Sequence, residues 1–103
     1  MKLLIITAIQ EFEKNVKQIL KKSGVDIFSY RNVTGYKDST EESIESNWFA
    51  SEMNENESVM FYAFVKEENV YFVFDLVDSF NSTQKTLSNI HIAVINIEKY
   101  NNK

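Results

Sequence analysis

Apolar positions run unbroken at the start of the chain and then change period. Residues 2–9 are almost all aliphatic. A run that short and that apolar predicts a strand covered on both faces. Next, Phe12, Val16, Ile19 and Leu20 fall at i, i+4, i+7 and i+8, and Glu13, Lys14, Lys17, Lys21 and Lys22 take the opposite side. That spacing predicts an amphipathic helix over 11–23. Lysines in its last turn suit the helix dipole, and Gly24 stands where a helix is commonly stopped. Val25, Ile27, Phe28, Tyr30 and Val33 mark a second strand, 25–34, and Gly35 is expected to take the positive φ of the following turn. Periodicity is then lost over 37–57, a stretch with seven acids and a single lysine, Lys37. A long aperiodic stretch inside a small domain is usually functional or mobile.

Val59–Val65 reads as a third buried strand, punctuated by Glu67, Glu68 and Asn69. Residues 70–80 fit two templates. Their β-branched and aromatic content suits a strand that closes a hairpin. As a helix, Val70, Val73, Phe74, Val77 and Phe80 share one face and Tyr71, Asp75, Asp78 and Ser79 the other. The helix is favoured because the polar positions also obey its period. A polar loop, 82–89, and a last strand, His91–Ile97, complete the chain. The order β-α-β-loop-β-α-β predicts an α+β, ferredoxin-like split β-α-β domain: a four-stranded antiparallel sheet with two helices on one face.

That plan leaves a sheet face bare. Leu3 and Ile5 oppose Leu4 and Ile6 across the sheet, and Tyr62 and Phe64 oppose Phe61 and Ala63. The bare face is then an apolar patch of a few hundred Å², which monomers rarely tolerate. Self-association with sheets facing each other would cover it, as would extra strands or the long loop.

Composition narrows the function classes. At 103 residues the chain is expected to be a single domain, able to bury roughly 60–70% of its unfolded surface. It has no cysteine, hence no disulfide and no thiolate chemistry, which fits a reducing, cytoplasmic setting. The first nine residues are too short for a signal peptide. No apolar run is long enough to span a bilayer, so membrane insertion is not expected. A net charge of −4 argues against nucleic acid. His91 is the single histidine, with no second imidazole or thiol to make a metal site. Asp38, Glu41, Glu42, Glu45, Glu52, Glu55 and Glu57 lack the spacing of a calcium loop. No catalytic constellation, metal site or cofactor motif is present. Two large apolar residues, Trp48 and Phe49, are the oddity of the polar excursion. They anchor it on the protein itself, or they are a contact for a partner or stacking ligand.

Short stretches at the ends of the elements carry a family resemblance. Ile19-Leu20-Lys21-Lys22-Ser23-Gly24-Val25 closes the first helix, and Asn32-Val33-Thr34-Gly35-Tyr36 closes the second strand before the long excursion. In this pattern, over most of its length, the chain resembles the PII signal-transduction proteins and their PII-like relatives. The resemblance implies a homotrimer with the sheets inside and small effectors, often nucleotides, in the clefts between subunits. It also implies that 37–57 is a flexible T-loop that engages a target such as a transporter or an enzyme. Gly35, Tyr36, Lys37, Trp48, Phe49 and Lys85 are then the candidate binding residues, with Lys37 and Lys85 meeting an anion across a subunit cleft. The usual phosphate-cradling Thr-Gly-Lys-x-Gly-Asp-Gly-Lys loop is largely lost. At 83–90 only Thr83 and Lys85 match, and Gln84, Leu87 and Asn89 replace the glycines that let backbone N–H groups approach an anion. Ser88 stands for the acid and Ile90 for the second lysine. The Gly-x-Gly after the second strand is reduced to Gly35, with Lys37 at its second position. A regulatory, non-enzymatic role follows. A small isomerase or monooxygenase on the same scaffold, or a purely structural interaction module, are the alternatives.

Overall fold

The computed structural model describes residues 1–36 and 55–101. The elements run β1 (Lys2–Ile9), a 3-10 turn (Gln10–Phe12), α1 (Glu13–Lys22), β2 (Ser29–Tyr36), β3 (Glu55–Val65), α2 (Glu67–Thr83) and β4 (His91–Asn96). The strands form one antiparallel sheet in the order β2-β3-β1-β4. Both helices pack on one face, so the α+β split β-α-β plan holds. The aliphatic β1 takes an interior place, where each residue has a cross-strand neighbour on both sides: Ile6 lies between Phe61 and Ile92, and Ile5 between Tyr62 and Ala93.

Strand alternation divides the apolar residues between the two faces. Leu4, Ile6, Ala8, Val59, Phe61, Ala63 and Val65 point at the helices, which answer with Val16, Ile19, Leu20, Val70, Val73 and Val77. Phe12 and Phe80 close the far end of this layer edge to face, with ring centroids 4.9 Å apart. At the β2 side, Tyr30 stacks on Phe61 at 5.2 Å, and its hydroxyl accepts a 2.9 Å hydrogen bond from Lys17 Nζ, which also pairs with Glu13 at 3.1 Å.

Gly24 ends α1 as expected, at φ 81. Its N–H donates to the Lys21 carbonyl and that of Val25 to the Leu20 carbonyl, the paired bonds of a Schellman motif. Val25 and Leu20 are both buried, which is the apolar contact that accompanies such a stop. This explains why Val25 belongs to the helix end and not to a strand beginning at 25: β2 starts at Ser29. The strand continues through Gly35 and Tyr36, which pair with Asn56 and Glu55. Gly35 is therefore extended strand and not a positive-φ turn. β3 begins at Glu55, so residues 55–57 of the expected excursion are strand, held by pairing with β2 although they are polar.

Residues 70–80 are helical, and α2 is longer than their pattern implied. Glu67, Glu68 and Asn69 are its first turn and not a break. Lys66 is the extended N-cap residue, and two acids at the positive end of the helix dipole favour that start.

Candidate functional site

The strand directions decide which candidate residues can meet. β1 and β2 both end, and β4 begins, at the same end of the sheet, since Ile9 lies opposite Ser58, Tyr36 opposite Glu55 and Thr7 opposite His91. Gly35 is buried and Tyr36 exposed at that end. The exposed Lys85 sits in the loop that enters β4, at the same end but on the opposite edge. β2 and β4 are separated by three strand spacings, about 14 Å. One chain thus places Gly35 and Tyr36 on one edge of the sheet and Lys85 by the other. Lys37, Trp48 and Phe49 lie outside the described residues.

The loop before β4 is closed upon itself. Gln84 Oε1 accepts from the N–H and the hydroxyl of Thr86, at 2.7 and 2.6 Å. Gln84 Nε2 donates to the Thr86 carbonyl and to Asn89 Oδ1, both at 2.9 Å. The N–H of Ser88 donates to Thr86 Oγ1 at 3.1 Å. Asn81 brackets Ile90, accepting from its N–H at 2.8 Å and donating to its carbonyl at 2.9 Å. Three backbone N–H groups of this loop are thus occupied by side chains of the chain itself. An anion cradle needs those donors free and glycine at the close approaches.

On the sheet face away from the helices, β1, β3 and β4 present mainly apolar residues, with the exposed Ser29 and Arg31 of β2 at its edge. Leu3, Ile5, Met60, Tyr62, Phe64, Ala93 and Ile95 share it by register. Tyr62, Phe64 and Ile95 are 41%, 61% and 44% exposed. Toward the end where β2 leaves, the same face turns polar, with Thr7, Ser58 and His91.

His91 is half-buried there, and desolvation holds its pKa below the ordinary imidazole value of 6.5. Unfolded, the ring binds a proton near that value; folded, it does so only at lower pH. The neutral ring's contribution to stability is therefore full above about pH 6.5 and declines as pH falls from there through the lower folded pKa. Denaturant midpoints measured between pH 8 and pH 5 should fall for the natural chain and vary less for His91→Gln; parallel profiles would refute this role of His91.

Sequence reading missed a polar cleft of about 200 Å³ beside β2, lined by Gln10, Asn32, Val33, Thr34 and Glu57. Its residues come from three segments and converge only through the β2–β3 register, which sets Thr34 opposite Glu57. The pattern of the chain marked neither β2's true end nor β3's start, so nothing in it pointed there. Among the described residues, no three His, Asp or Glu side chains converge as a metal site would.

No protein-family model and no curated protein matches the sequence. Solved structures do match. One is CPII from Thiomonas intermedia, a nitrogen regulatory PII-like protein solved with ADP, AMP and bicarbonate; it superposes with a TM-score of 0.62 at 15% identity, over 96% of this chain and 93% of that one. This chain has the PII-like fold. A DUF3240 family protein from Shewanella baltica shares it, with a TM-score of 0.66 at 12% identity over 99% of this chain and 94% of its own. At such identities the likeness is one of fold. Both matches run nearly end to end. No helix among the described residues is long and apolar enough to cross a membrane.

Proposed function

We propose that this PII-like chain is a single-domain regulatory protein and not an enzyme. It works in the cytoplasm as a homotrimer, takes a small effector in the clefts between subunits and contacts a target protein, a transporter or an enzyme, through its 37–54 segment. The observation that carries the reading is the apolar sheet face with Tyr62, Phe64 and Ile95 exposed on it. A rotationally closed assembly buries that face and sets opposite edges of neighbouring subunits together. Gly35, Tyr36 and Lys37 of one subunit then approach Lys85 of the next, a meeting that the 14 Å or so between the edges denies a single chain. Trp48 and Phe49 supply the segment's apolar contact, with the target or with the effector.

The occupied amides of the loop before β4 set a limit on that effector. Calorimetry with ATP and magnesium should detect no binding tighter than about 1 mM, or about −4 kcal/mol. Micromolar ATP binding would contradict this account of the loop. A thermal-shift screen of mononucleotides and small anions, bicarbonate included, should still find a compound that raises the melting temperature. Lys85→Ala should abolish the gain, although Lys85 is exposed and outside the core. A screen without any such compound would contradict the effector reading.

A further inference from the structure

The face of α2 turned away from the sheet carries acids and aromatics with nothing to balance them. Glu67, Glu68, Tyr71, Phe72, Asp75 and Asp78 are all exposed. Helical spacing puts Glu68 and Asp75 on one line along the axis, flanked by Tyr71 on one side and Phe72 on the other. These two rings are 67% and 60% exposed, whereas Val70, Val73 and Val77 on the reverse of the same helix are buried. No Lys, Arg or His occurs between Lys66 and Lys85. The described ion pair, Glu13 with Lys17, is on α1, and none of the four α2 carboxylates has a cation at ion-pair distance. Asp75 and Asp78 are spaced three apart, where like charges work against a helix.

Beyond the help that Glu67 and Glu68 give the helix start, these groups add little to the fold. The rings keep most of their surface in solvent, and the carboxylates past the first turn add repulsion. Together they match one chemistry. A guanidinium stacks on aromatic faces and binds carboxylates through paired N–H donors. The same surface repels polyanions, so phosphodiester backbones and anionic lipid headgroups are the wrong occupants.

We propose that this face of α2 docks a basic amphipathic segment of a partner protein, its arginines lying over Tyr71 and Phe72 and pairing with Glu68, Asp75 and Asp78. The helices cover the opposite side of the sheet from the face assigned to trimerisation, so both surfaces can be occupied at once. This docking does not depend on the regulatory reading.

The test is an anisotropy titration of a fluorescein-labelled helical peptide of leucine and arginine with the full chain, against a leucine–glutamate peptide of equal length. The arginine peptide should bind saturably and the glutamate peptide should not. Tyr71→Ser/Phe72→Ser and Asp75→Asn/Asp78→Asn should each weaken binding about tenfold or more. Asp26→Asn/Glu98→Gln, which removes exposed acids elsewhere, should leave it unchanged. All the substituted side chains are exposed, and circular dichroism verifies that each variant keeps its helices. The proposal is overturned if the arginine peptide fails to bind, if the Tyr71/Phe72 variant binds it as well as the natural chain, or if the Asp26/Glu98 variant weakens it equally. Preference for anionic vesicles over the peptide would overturn it too.

Discussion

Phe61→Ala should cost about 3–5 kcal/mol, the largest loss from any single truncation among the described residues. Phe61 is 1% exposed at the centre of β3, directly opposite Ile6 of β1 and Tyr30 of β2. It is the largest fully buried side chain among the described residues, and both Phe28 and Tyr30 pack their rings on it, at 5.7 and 5.2 Å. Truncation removes that common surface, leaves a cavity beneath two helices and frees Tyr30, the ring that holds Lys17 from α1. Domains of this size are stable by about 5–15 kcal/mol, so the variant is expected to approach the unfolding threshold. Urea unfolding at one fixed protein concentration measures the effect, because an assembling protein gains stability with concentration. A loss below about 1 kcal/mol would mean that the core is not organised around Phe61.

Charge on the open face should break the assembly without breaking the chain. In Tyr62→Asp/Ile95→Asp both substituted side chains are partly exposed in the single subunit, so the carboxylates keep their water there. In a trimer closed around these faces, six carboxylates would enter an apolar interface without partners. Each such burial costs several kcal/mol even after relaxation. The variant should sediment as a monomer at micromolar concentration and retain the circular dichroism of the natural subunit. An unchanged assembly would move the interface to another surface.

How much of this was legible in the sequence depended on what each segment's neighbours demand of it. β1, β3 from Val59 onward and β4 could be read because they are apolar at odd and even positions alike. α2 could be read because Asp75, Asp78 and Ser79 keep the helical period even though Val, Tyr and Phe dominate its composition. The failures were at borders set by tertiary contacts. Val25 reads as strand but is the apolar stop of α1, and Ile27 is exposed in the connection that follows. Glu55-Asn56-Glu57-Ser58 reads as loop, yet pairing with the polar edge strand β2 makes it strand without an apolar signal. Glu67 and Glu68 read as a break because acids are common in turns, but they also suit a helix N-terminus.

The candidate binding residues could be named by type along the chain, but not by where the fold puts them. Gly35 and Tyr36 stand at one end of the sheet on the β2 edge, and Lys85, in the loop that enters β4, lies at the same end on the opposite edge. The meeting proposed for them would need a neighbouring copy, which no pattern along one chain encodes. The loss of glycines at 84, 87 and 89 could be read directly. What stands in their place, a loop in which Gln84, Thr86 and Asn81 take up the amides, is a matter of side-chain geometry that residue types do not reveal.

Copies of the same chain are expected to cover the apolar sheet face. Light scattering coupled to size exclusion, on the natural protein at micromolar concentration, tests it most directly. A single species of three chain masses is expected. A stable species of one chain mass would contradict it, because the face bearing Tyr62, Phe64 and Ile95 would then stand in water without a partner copy.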